Sequence, residues 1–236
     1  MVDTTSPRQD GDAIRLEAIG KSFAGVAVLQ DVTLRVREGE IMALVGSNGA
    51  GKTTLLEILA TVQLPTSGRA TVGGYDVVRQ GGPIRRIIAY CAASAESVCP
   101  QLSGRANLEF FAALHGWSPR EGRRRAGAAL ETMGVPEIGD VIVQKYSAGM
   151  KQKLSLARML LADASILLLD EPTRSLDADA RREFYRLLRD TLVGAMKKTV
   201  LLVTHDPNEA SAVCDRVALL SGGAITRVVA PGADAQ

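Results

Sequence analysis

The sequence is short of everything that marks a membrane-inserted, disulfide-bonded or polyelectrolyte-binding chain. Its longest stretches without a charged residue, Ile41 to Gly51 and Ile58 to Gly68, are 11 residues each, whereas a spanning helix needs about 18 or more mostly apolar residues. Residues 1–12 are polar, carry Asp3, Asp10 and Asp12, and contain no apolar signal-peptide core. Cysteine is scarce. Cys91, Cys99 and Cys214 form an odd, widely spaced set with no C-x-x-C pair, which reads as reduced thiols in a reducing compartment rather than as a disulfide framework or a metal site. Charge of one sign is scarce as well: 28 Lys+Arg stand against 26 Asp+Glu, for a net charge of +2. The one basic cluster, Arg123-Arg124-Arg125, reads as a solvated helix face. Charge therefore lends no support to nucleic-acid binding. These absences predict a soluble cytosolic chain.

What is present is ordinary globular composition, 46% apolar and 23% charged over 236 residues, enough to bury a core of one large domain or two small ones. Residues 1–12 are expected to be a disordered leader and residues 231–236 a frayed tail, around a body at 13–230. Ala13 to Ile19 and Val32 to Val36 alternate as half-buried strands do. Ile41 to Val45 and Ile166 to Leu169 are continuous apolar runs, as in strands buried on both faces. Leu108 to Gly116, Pro119 to Met133 and Ser147 to Ala162 read as helices with little strand between them. Strand and helix alternate again up to Ile225. The expected fold is α/β, with a helical insert at about 95–162.

The chemistry is written in the loop after the first buried run. Gly46, Ser47, Asn48, Gly49, Ala50, Gly51, Lys52 and Thr53 match G-x-x-x-x-G-K-[ST], between an apolar strand and a helix, with Thr54 next in line. Glycines let the backbone curl so that successive N–H groups face phosphate oxygens. The helix N-terminus adds positive charge, Lys52 is expected to reach the β and γ phosphates, and Thr53 to ligate Mg²⁺. The run Ile166-Leu167-Leu168-Leu169 ends in Asp170-Glu171, so a buried strand delivers two carboxylates at its C-terminal end, where ligands of such sheets bind. Asp170 is expected to hold Mg²⁺ and Glu171 to polarise an attacking water.

Tyr146-Ser147-Ala148-Gly149-Met150-Lys151-Gln152-Lys153 opens the last helix of the insert, 23 residues before Asp170. At this point the chain, over about residues 13–230, resembles the ATP-binding subunits of ABC transporters. The resemblance implies a P-loop core, an antiparallel β subdomain and an α-helical insert, with ATP and Mg²⁺ bound. It implies that Ser147, Ala148, Gly149 and Met150 grip the γ-phosphate of ATP held by an opposite subunit, which needs a head-to-tail dimer. Asp177 takes the place of the loop that links the two sites, His205 that of the switch histidine, and Phe23 that of the aromatic that stacks on adenine. His115 is read as structural. One position departs. The family's glutamine, which contacts Mg²⁺ and the attacking water, falls on Ala93, and alanine has neither donor nor acceptor.

The segments at 64–77 and 107–116 look like drug-resistance-type exporters of the ABC-2 class. They imply a polytopic membrane permease as partner, a second identical or related nucleotide-binding subunit, and a peripheral place on the inner face of the cell membrane. An ABC-type ATPase acting in solution on a ribosome or nucleic acid remains as an alternative, and so does a regulatory subunit impaired in hydrolysis by Ala93. Against the first of these stand the single cassette, the separation of only 95 positions from Lys52 to Ser147 with no heptad run, and the weak net charge.

Overall fold

Alternating apolar residues near the N-terminus build a long hairpin. β1 (Asp12–Phe23) and β2 (Val26–Arg37) pair antiparallel, with Leu16 opposite Leu34. Both run beyond the alternating stretches that foretell them, because cross-strand hydrogen bonds continue through residues whose side chains face water. The structure, a computed structural model, describes residues 11–92 and 98–231. Along β1, Ile14, Leu16 and Ile19 are fully buried on one face.

β3 (Ile41–Val45) is buried at every residue and leads through a glycine-rich loop into α1 (Lys52–Leu59). β4 (Ser67–Val72) and β5 (Tyr75–Asp76) complete a four-stranded antiparallel sheet in the order β2-β1-β4-β5. A short α2 (Gly81–Ile87) then turns the chain into β6 (Ile88–Cys91). This helix has no sequence forewarning. Two glycines and a proline are poor helix formers, and it persists because Ile84 is buried in the core.

Three helices follow, α3 (Gly104–Leu114), α4 (Pro119–Thr132) and α5 (Ala148–Met159). Ser103, Ser118 and Ser147 cap them, each hydroxyl accepting a backbone N–H three residues on. β7 (Ile166–Asp170) precedes α6 (Ala178–Arg186), which widens into π-helical turns over Leu187–Ala195. β8 (Thr199–Thr204), α7 (Pro207–Val213), β9 (Arg216–Ser221) and β10 (Ala224–Val229) end the described chain.

The second sheet has the order β10-β9-β3-β8-β7-β6; only the β9–β10 pair is antiparallel. Its two faces explain the unbroken apolar runs. Met42, Leu44, Leu168, Leu201 and Val203 pack toward α1 and the antiparallel sheet. Ile41, Ala43, Val45, Leu167, Leu169 and Leu202 pack toward the helical side. Each large side chain so buried stabilises the fold by roughly 1.5–3 kcal/mol. The expected α/β class and its antiparallel β subdomain are thus both present.

Register decides where function can sit. Val45 pairs with Thr204 and Asp170 with Val203, so β3, β8 and β7 all end at one edge of the sheet. Whatever follows each strand is delivered there side by side.

Candidate active site

The loop leaving β3 has no room for side chains at two of its glycines. A Cβ on Gly46 would lie 2.4 Å from the Leu220 carbonyl oxygen of β9. One on Gly51 would lie 2.6 Å from Leu29 Cδ2, and Gly51 has φ +101°, a conformation that only glycine holds without strain. Gly51 is the N-cap of α1, which has no side-chain cap and no acidic residue in its first turn. Its N–H groups are therefore left for an anion. Lys52 is only 6% exposed and folds over the loop, its Nζ donating to the Gly46 and Ser47 carbonyls at 2.8 and 2.9 Å.

Thr53 and Asp170 meet from opposite directions, the Thr53 hydroxyl donating to Asp170 Oδ2 at 2.8 Å. Burial pushes the Asp170 carboxyl above its usual range, the Thr53 hydrogen bond opposing and the neighbouring Glu171 charge adding to the rise. Glu171 stands at a sharp turn with φ +45°, and its N–H donates to the Val203 carbonyl at 2.9 Å. Its Oε1 lies 2.9 Å from Nδ1 of His205, with His205 about half exposed and Glu171 largely enclosed.

A residue that sequence reading missed holds these two loops together. Glu209, 5% exposed on α7, accepts from the Thr173 hydroxyl at 2.6 Å and the Thr204 hydroxyl at 2.5 Å. Thr173 lies two residues after Glu171, and Thr204 lies one before His205. In sequence, Glu209 looks like an ordinary acid in the first turn of a helix capped by Asp206. The only signal was its position four residues after His205. Gln152 adds a second brace from α5, donating to the Pro172 carbonyl at 2.8 Å.

Two cavities meet at Asn48, Thr53, Asp170 and Glu171. One, of about 310 Å³, runs along the loop past Asn48, Gly49, Gly51, Lys52 and Thr54. The other, of about 470 Å³, extends past His205 toward α6. Ser147, Ala148, Gly149 and Met150 line neither, but they lie behind the segment after Glu171: a Cβ on Gly149 would be 3.3 Å from the Ser175 carbonyl oxygen. Ser147 caps α5 and Asp177 caps α6. Phe23 stands 41% exposed at the end of β1 beneath the Lys21 ammonium and lines neither cavity. Ala93 lies outside the described residues.

A parallel-sheet edge that carries a glycine phosphate loop, a Thr–Asp oxygen pair and a Glu–His pair defines a P-loop nucleoside triphosphatase. The sequence matches the ABC transporter family over residues 29–174, and the chain belongs to that family as an ATP-binding cassette ATPase. It is 37% identical, over 93% of its length, to the daunorubicin resistance ATP-binding protein DrrA3 of Streptomyces coeruleorubidus, of which it covers 68%. To the doxorubicin resistance ATP-binding protein DrrA of Mycobacterium tuberculosis it is 36% identical over 92% of its length, covering 66% of that protein. The chain thus spans about two thirds of the length of these relatives. Among solved structures it is similar to the ATP-binding cassette MJ0796 in a dimeric post-hydrolysis state bound to ADP and Pi. The TM-score is 0.85 at 26% identity, over 94% of this chain and 100% of that one. Among the described residues no helix is long and apolar enough to cross a membrane.

Proposed function

We propose that the chain is the ATP-hydrolysing subunit of an exporter, acting as a head-to-tail dimer that drives a separate polytopic membrane subunit. The observation that carries this reading is the division of the site. The Thr53–Asp170 and Glu171–His205 pairs share one cleft, while the Ser147–Met150 helix start lies outside it. A γ-phosphate in this cleft therefore keeps one side open to a second cassette, whose Ser147 hydroxyl and helix N-terminus would close it. The dimeric state of MJ0796 supports such closure, and the names of the two resistance proteins support export.

In this reading the N–H groups of the loop hold the phosphates, and Lys52 turns from the Gly46 and Ser47 carbonyls to the β and γ oxygens. The site fits Mg²⁺. Thr53 and Asp170 offer two adjacent hard oxygens, and among the described residues no cluster of three or more His, Cys, Asp or Glu competes as a metal cage. This is the sparse set that Mg²⁺ takes, with phosphates and water completing it. Bound there it would neutralise phosphate charge. Glu171 accepts a proton of the attacking water as the water oxygen bonds to the γ-phosphorus, and the bridging bond breaks with its electron pair leaving on ADP. His205 orients Glu171 and the γ-phosphate. Release of ADP and phosphate reopens the dimer.

Phe110 and Leu114, one turn apart on α3 and 54% and 66% exposed, supply an apolar face for the membrane subunit. The test is affinity capture of the Glu171→Gln form with Mg·ATP from detergent-solubilised membranes of the source cells. A stoichiometric multi-span protein is expected. Recovery of ribosomal proteins, or of no membrane protein, overturns the reading.

A further inference from the structure

The larger cavity continues past His205 along the segment between Glu171 and α6, and its wall chemistry is uneven. Four acids line it, and each is engaged. Asp170 takes the Thr53 hydroxyl, Glu171 faces His205, and Glu209 holds Thr173 and Thr204. Asp206 accepts the Asn208 N–H at 2.9 Å. Two arginines line the same wall, and their donors are largely unspent. Arg181 uses Nε on the Leu176 carbonyl at 3.0 Å, which leaves its terminal NH₂ groups. The Arg174 guanidinium makes no hydrogen bond or ion pair among the described residues, and only its backbone N–H is engaged, with the Glu171 carbonyl. At this end of the cavity the guanidinium donors of Arg174 and Arg181 are thus available to an anion, beside carboxylates already held by hydroxyl, imidazole or backbone N–H partners.

We propose that Arg174 and Arg181 form an anion subsite that holds the orthophosphate product after it leaves ADP. The proposal rests on the ATPase reading above. A planar guanidinium offers paired N–H donors matched to two oxygens of a tetrahedral phosphate. Glu171 stands in the wall of both cavities, with Lys52 lining the smaller one and Arg174 and Arg181 the larger. Orthophosphate bound there is charge-compensated without drawing Lys52 from ADP.

The experiment is calorimetric titration of inorganic phosphate into the full chain preloaded with Mg·ADP, with fluorescent-ADP displacement run alongside. The Arg174 side chain is exposed and makes no hydrogen bond or ion pair among the described residues, so Arg174→Gln tests the site with little disturbance to the fold. Losing one charge-assisted pair of bonds should weaken phosphate binding by about tenfold or more. Arg174→Lys should recover part of this, and ADP affinity should be unchanged in both. Unchanged phosphate affinity in Arg174→Gln and in Arg174→Gln/Arg181→Gln overturns the proposal. So does a loss confined to a non-hydrolysable ATP analogue, which would assign the arginines to the intact triphosphate. A wild-type chain that fails to bind ADP removes the ATPase reading, and the subsite with it.

Discussion

Replacing Glu209 by alanine takes away the carboxylate that Thr173 and Thr204 share. Its two hydroxyl bonds, at 2.6 and 2.5 Å, are made to a buried charge, and such bonds contribute roughly 1.5–3 kcal/mol each, or about 3–6 kcal/mol together. Removing a desolvated carboxylate returns part of that, so a net loss of about 2–4 kcal/mol is expected. Against a domain stability of roughly 5–15 kcal/mol, the variant still folds. Glu209→Gln keeps the shape and one acceptor oxygen, but must offer NH₂ to the other hydroxyl. Thr204 already accepts the Asp206 N–H at 3.0 Å, and its oxygen has a second lone pair free, so about 1–2 kcal/mol is expected for this variant.

The functional effect follows from the same contacts. Without the brace, the loops bearing Glu171 and His205 lose their common anchor and the 2.9 Å contact between them loosens. Misplacing a catalytic pair by about 1 Å costs roughly 10–100-fold in turnover. ADP affinity should hold, because the phosphate loop is untouched. Urea unfolding, steady-state ATPase rate and fluorescent-ADP binding read the three consequences separately. A folded Glu209→Ala chain that turns over within about twofold of wild type would refute the positioning argument.

Three further outcomes are expected. Glu171→Gln removes the base but keeps the side-chain shape, so turnover should fall about 10²–10⁴-fold while ATP affinity holds; with Mg·ATP it should elute as a dimer in gel filtration, and near-normal turnover would remove Glu171 from this role. Gly46→Ala sets a Cβ 2.4 Å from the Leu220 carbonyl oxygen, so β3 and β9 must part and thermal unfolding should come earlier; an unchanged midpoint would contradict the packing. Hydrogen bonds from Arg124, then Arg125, hold the Glu121 carboxyl at about 2, against an ordinary 4.5. A carboxyl lowered on folding stabilises at pH above its unfolded value, and the gain fades as pH falls toward about 2. The thermal advantage of wild type over Glu121→Gln should therefore be full at neutral pH and shrink from about pH 4.5 downward, and a difference flat across that range would refute the pairing.

Much of the architecture was legible because the runs that matter are extreme. Ile41 to Val45 and Ile166 to Leu169 must lie between two covered faces, since no single-sided strand leaves every residue apolar, and β3 and β7 do so. The glycine loop before α1 was legible for a different reason: its requirement for small residues is local, set by backbone curvature within one turn. α2 was not legible, because its helicity comes from Ile84 packing into the core rather than from propensity. Phe23, which the family resemblance places opposite adenine, stands exposed at the hairpin end beside Lys21.

Local structure was thus determined by the sequence itself: a tight glycine loop, a strand ending in two acids, and a helix start capped by Ser147. Partnership was decided only by the tertiary structure. Thr53 and Asp170 are 117 positions apart, and Thr173 and Glu209 are 36 apart. No periodicity in a chain records which side chains meet across a sheet. The parallel register of β3, β8 and β7 brings them to one edge, and burial then makes each polar group there depend on the partner it finds.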